Sequence, residues 1–138
     1  MIKVFGHISP DTDATVSAIL WSWYLKTHTS QEANPFVLGT LNKETQFVLR
    51  RWNTAEPALL EKVEAGDQVV IVDTNNPQEL LPLTDADIIQ VIDHHMLAGG
   101  LITRKPLDMT IRPVASTATV MHDLMGVEAI NTLPTDMA

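Results

Sequence analysis

A chain of 138 residues with 45% apolar and 19% charged side chains has the balance of one globular domain, long enough to bury roughly two thirds of its unfolded surface. It has no cysteine, which excludes disulfides and thiolate-held metals, and no apolar run long enough to cross a bilayer. The net charge of -8, with only nine Lys and Arg, argues against nucleic-acid binding, which draws its affinity from phosphate neutralisation.

The N-terminus passes straight into a strand pattern without the architecture of a signal peptide, so a soluble cytoplasmic protein is expected. Lys3 to Gly6 is the first apolar strand and runs into His7, with Asp11 and Asp13 in the next turn. Asp13 to Lys26 is predicted as a helix, with Val16, Ile19, Leu20, Trp23 and Tyr24 at helical spacing and Pro10 at its entry. Asn34 to Leu38 reads as a second strand closed by Gly39, and Lys43 to Trp52 as a helix capped by Asn42. Ala58 to Glu64 is expected to add another helix before the turn at Gly66-Asp67. Val69 to Val72 forms a strand that runs into Asp73, and Pro77 and Pro82 bracket a loop. Ile88 to Ile92 forms a strand that runs into Asp93-His94-His95. After a turn at Gly99-Gly100, Met109 to Ile111 is a short strand ending at Pro113. Ser116 to Met125 is the last full helix, with Gly126 as its C-cap, and Asn131 to Ala138 resembles the entry to another. The alternation implies an α/β, doubly wound, mainly parallel sheet flanked by helices.

Three strands therefore end in His or Asp. In a parallel sheet the carboxyl ends of the strands share one edge, where ligands bind. Singly, Asp11 and Asp13 read as turn or N-cap residues, Asp73 as an Asx-turn, and each His as structural. Together, His7, Asp11, Asp13, Asp73, Asp93, His94 and His95 are too many at one edge for independent accidents. Asp85 and Asp87 precede a strand and belong to the opposite edge, as surface residues. The mixed set of imidazole and carboxylate suits two ions, Mn²⁺ or Co²⁺ ahead of Mg²⁺, with a carboxylate bridging them. Such a pair lowers the pKa of a water and screens phosphate charge, the outline of a metal-dependent phosphohydrolase. His28, His122 and Ser17 are given no catalytic role.

Gly6-His7-Ile8-Ser9-Pro10-Asp11-Thr12-Asp13, followed by Ser17-Ala18, resembles the first motif of the DHH phosphoesterases, and Asp93-His94-His95 is the tripeptide that names them. Within that superfamily the chain resembles the manganese-dependent, family II inorganic pyrophosphatases. The matching residues are Pro-Asp-Thr-Asp in the first motif, Leu38-Gly39 with Asn42, Glu44, Thr45 and Gln46, Arg112-Pro113, and Ser116-Thr117-Ala118-Thr119. The resemblance implies that His7 and Asp11 hold one Mn²⁺, that Asp13 and His94 hold a second, and that Asp73 bridges them. It further implies that His95 hydrogen-bonds a phosphate oxygen of pyrophosphate, that Asp93 orients the histidines, and that a water between the ions is the nucleophile.

Two departures stand out. Thr74-Asn75 follows Asp73 where the family has His-Asn, at the cost of one polar contact near the site. Residues 1–138 also correspond to a single metal-binding domain, without the further aspartate-bearing strand or the second lobe whose Lys and Arg clamp pyrophosphate in the family. Activity of this chain alone is therefore in question. Two alternatives remain open at this stage. One is another DHH activity, on oligonucleotides or cyclic dinucleotides. The other is a non-catalytic module that binds metal weakly and forms a homodimer, an assembly that light scattering tests. Of Trp21, Trp23 and Trp52, at least two are expected in the core.

Overall fold

The computed structural model describes residues 1–138. Its chain order is β1 (Ile2–Phe5), α1 (Thr12–His28), β2 (Ala33–Val37), α2 (Lys43–Arg51), β3 (Ala58–Leu59), β4 (Gln68–Val72), β5 (Asp87–Asp93), β6 (Asp108–Ile111) and α3 (Thr117–Ile130), with a 3-10 turn at Pro77–Glu79. The six strands form one sheet in the order β3-β2-β1-β4-β5-β6, and every pairing is parallel. The α/β class and the parallel sheet are as the alternation implied.

The two middle strands, β1 and β4, leave the chain progressing in opposite directions across the sheet, which makes the crevice beyond their carboxyl ends the topological switch point. Phe5 pairs with Ile71 and Val72 with Ile92, so His7, Asp73 and Asp93 leave the sheet at about the same level.

The core follows from the uninterrupted apolar runs. Val4, Val70, Val72 and Ile92 face α1 and α3, packing on Ala18, Trp21, Leu25, Val120 and Met121. On the other face, Phe5, Val69, Ile71, Ile88 and Val91 are covered by connecting segments through Leu38, Leu60, Leu80 and Ala86. α2 joins α1 through Leu49 and Ile19 at the β2 side. Trp21 is buried, its indole N–H donating to Gln90 at 2.7 Å, and Trp23 packs against the same core. Trp52 is 49% exposed and carries the Arg51 guanidinium over its ring.

Helix entries are capped as the composition of their first turns suggests. Asp11 accepts from the Ala14 amide, Asn42 from Thr45 and Ser116 from Thr119. Two expectations need correction. Ala58 to Glu64 is not a helix: Ala58–Leu59 pairs with β2 and the Leu60 amide donates to Val37 O, because the open β2 edge satisfies the backbone better than a short helix after Pro57 would. Gly126, at φ 77°, does break the helix where a C-cap was expected, and a further helical turn continues beyond that kink to Ile130. Asn131 to Ala138 forms turns, and Thr132 closes α3 by donating to Ala129 O instead of opening a helix.

Candidate metal centre

β1 delivers His7 to the carboxyl edge, and the turn that follows swings back so that Asp11 caps α1 and Asp13 lies in its first helical turn. β4 delivers Asp73, which is 1% exposed, and β5 delivers Asp93, fully buried, with His94 and His95 just beyond it. All seven residues picked out from the sequence meet here. His7 Nε2 lies 3.6 Å from Asp11 Oδ1 and 3.4 Å from Asp73 Oδ2. His94 Nε2 lies 3.4 Å from Asp13 Oδ2 and 3.1 Å from Asp73 Oδ1. The arrangement is two imidazole–carboxylate pairs that share Asp73, one of its oxygens turned to each.

The histidines are fixed by what their other nitrogens do. Nδ1 of His7 lies 2.9 Å from Ile8 O and Nδ1 of His94 lies 2.9 Å from Val114 O. A ring N–H must donate to a carbonyl, so in both residues Nδ1 carries a proton and Nε2 is the nitrogen turned to the carboxylates, free to offer a lone pair to a metal once the ring is neutral. His95 is held differently: its Nδ1 lies 2.7 Å from Asp93 Oδ1, which also accepts from the amides of His94 and His95. The other Asp93 oxygen accepts from the Asn75 amide at 2.6 Å, and Asn75 in turn donates to Met96 O and accepts from the Ala98 amide. Asn75 thus braces the loop that carries both histidines.

Four carboxylates stand at this rim, two of them buried, and no Lys or Arg ion-pairs with any of them. A buried carboxylate without a cation is costly. The cluster shows that cost by holding protons. The Asp73 carboxylate facing its ring raises His7 to about 9, against the opposing effect of burial. Burial pushes the Asp13 carboxyl above the usual carboxylate range, and the charge of Asp73 adds to that. Burial would raise Asp73 as well, but the hydrogen bonds from His7 and Thr117 outweigh it and hold Asp73 low. Asp93 raises His95.

The spacing fits dications. Ligand atoms bound at roughly 2.0–2.2 Å sit roughly 3.0–3.5 Å apart around a tetrahedral or octahedral ion. The imidazole–carboxylate separations at the rim fall in or just beyond that range. Asp73, His94 and His95, and separately His7, Asp11 and Asp73, offer ligand atoms within 4.8 Å of one another. His95 is the less suited, since Asp93 occupies its Nδ1.

Residues 1–138 match the N-terminal domain of the DHH family throughout. The chain belongs to the DHH family. It is 38% identical over 132 residues to the manganese-dependent inorganic pyrophosphatase of Methanocaldococcus jannaschii, covering 95% of this chain and 40% of that relative. A protein of Oceanobacillus iheyensis named as a probable manganese-dependent inorganic pyrophosphatase is 40% identical over 127 residues, 90% of this chain and 41% of the relative. Among solved structures, a Methanococcus jannaschii protein assigned to the family II inorganic pyrophosphatases superposes with a TM-score of 0.82 at 37% identity, over 95% of this chain and 40% of that one. This DHH domain spans about two fifths of the length of the relatives it matches.

Two features of the DHH centre escaped sequence reasoning. Asn75 was noted only as part of a departure, although it is buried and supports Asp93. Thr74, beside it, donates to Glu79 at 2.6 Å. The second is the start of α3. Its amides at Thr117 and Ala118 donate to Asp13, and the Thr117 hydroxyl donates to Asp73. Ser17, read as packing, also reaches Asp13, at 3.4 Å.

Proposed function

We propose that this domain is the metal-binding part of a manganese-dependent inorganic pyrophosphatase, which hydrolyses pyrophosphate to two phosphates. The observation that carries the reading is the sharing of Asp73 between two imidazole–carboxylate pairs. The names of the relatives support the choice of manganese and of pyrophosphate. His7 and Asp11 would hold one Mn²⁺, Asp13 and His94 a second, and Asp73 both; Co²⁺ or Mg²⁺ are the ions expected to compete. When bound, two such ions supply a more acidic water and a counter-charge for the phosphates.

The chain's own part is positioning and charge. Asp93 holds His95 at 2.7 Å through Nδ1, which leaves Nε2 as the uncommitted nitrogen of a side chain that is more than half exposed. Because Asp93 favours the protonated ring, His95 is suited to donate to a phosphate oxygen. Asn75 and the two backbone amides keep Asp93 in place without entering the site.

Phosphate release from pyrophosphate in Mn²⁺, compared with turnover of a dinucleotide, tests the reading. Faster pyrophosphate turnover by the protein that contains this domain is expected. Faster dinucleotide turnover would replace the reading with a nucleotide phosphodiesterase, which the nine basic residues already disfavour.

A further inference from the structure

An aspartate used as a bridge has a weakness: rotation about its terminal χ angle is broad and two-fold, so the carboxylate plane is not set by its own rotamer. Something outside the side chain must set which oxygen faces which ion. At Asp73 the backbone adds little, since its amide is engaged with Ile92 O in the sheet direction. Apart from the candidate metal ligands themselves, the side chain in contact with the carboxylate is Thr117. Its hydroxyl, fully buried, donates to Asp73 Oδ1 at 2.9 Å. That is the oxygen nearest His94, while Oδ2 faces His7. The same residue's amide donates to Asp13 Oδ2 at 2.9 Å, and Asp13 Oδ2 is the oxygen nearest His94.

Thr117 therefore touches both carboxylates that surround His94, from the first turn of a helix whose N-cap is its neighbour Ser116. A capping role does not explain the hydroxyl, because Ser116 already accepts from the Thr119 amide. A carboxylate oxygen has more than one acceptor site, so Oδ1 can take the Thr117 proton and still face a cation. β-Branching stiffens the Thr117 χ1 angle, which makes it a better anchor than a freely turning hydroxyl.

We propose that Thr117 is the positioning residue of this centre: its hydroxyl locks the Asp73 carboxylate so that one oxygen is presented to each ion. The proposal rests on the metal-centre reading above. It assigns Thr117 to the carboxylate and gives it no contact with substrate.

The test is Mn²⁺ titration by calorimetry on the unsubstituted chain, Thr117→Val and Thr117→Ser. Val keeps the branching and the amide but has no donor; Ser keeps the donor. The expected result is a loss of about 10–100-fold in Mn²⁺ affinity for Thr117→Val, with Thr117→Ser within a few-fold of the parent. If Val at this buried position prevents folding, as judged by circular dichroism, Thr117→Ala carries the same comparison. Equal affinity of the Val or Ala variant and the parent would overturn the proposal, and so would an equal loss in Thr117→Ser, which would assign the effect to the methyl group. Absence of saturable binding by the unsubstituted chain would overturn the metal-centre reading, and this proposal with it.

Discussion

Asp73 sits at φ 60°, in the left-handed region where Asp and Asn are the best tolerated side chains after Gly. Replacement by Asn therefore leaves the backbone preference intact and removes only charge. Asp73→Asn should abolish or strongly weaken both proposed Mn²⁺ sites together, whereas Asp87→Asn should leave them unchanged, because Asp87 lies at the opposite edge and pairs with Lys105. Calorimetry of the two variants distinguishes them, and equal effects would undo the assignment of the carboxyl edge. His7 gives a pH dependence. With no metal added, its folded pKa is about 9 against 6.5 for the free side chain. The raised value means that the protonated ring stabilises the fold fully below pH 6.5, and that this contribution fades as pH rises through 9. A metal must displace that proton, so Mn²⁺ affinity should rise between pH 6.5 and 9 and binding should release protons. Titration in buffers of different ionisation enthalpy measures the release. The seven rim residues were legible because each is a charged or imidazole side chain immediately beyond an apolar strand. Thr117 and Asn75 were not: an uncharged polar residue at the end of an element reads as a cap or turn, and the 44 positions between Thr117 and Asp73 leave no local trace of their bond.

Where β1 turns into α1, Gly6 has the least room of the chain's glycines for a side chain. A Cβ there would lie 2.8 Å from the Ala14 side chain and 3.1 Å from Val72 O, the first too close for any real Cβ. Neither neighbour is a flexible tip, so Gly6→Ala must push the start of α1 away from β1 and β4. Overpacking of this kind costs about 1–3 kcal/mol, to be read in urea denaturation. It should also weaken Mn²⁺ binding, since Asp11 and Asp13 move with α1. A normal Mn²⁺ affinity in a destabilised Gly6→Ala chain would show that α1 does not set the ligand spacing. The strands β1, β4 and β5 and the helices α1 and α2 were readable from apolar runs and caps because burial and local hydrogen bonding agree there. β3 was not, since two residues carry no periodicity and its pairing depends on the distant β2 edge. The last eight residues misled for a related reason: Thr132 has the composition of a cap, but its hydroxyl serves the helix before it.

At the scale of the molecule, no helix is long and apolar enough to cross a membrane. The sheet is built wholly from parallel pairings, so each strand waits for a crossover before it finds its neighbour. The rim residues run from position 7 to position 95 and come from three strand ends and one helix start. They cannot converge until β1, β4 and β5 are all in register. A cation held by that set would be a late partner of folding and would act as a clamp on the finished sheet. Mn²⁺ should then slow unfolding strongly and leave the refolding rate nearly unchanged, since the rate-limiting ensemble would precede the complete rim. Stopped-flow chevrons with and without Mn²⁺ would show it, and a refolding arm accelerated as much as the unfolding arm is slowed would contradict it. A protease that cuts only opened molecules would meet the same clamp: the lifetime of this domain among proteases would follow the supply of divalent ions, because the residues gathered for chemistry also latch the middle of the sheet shut.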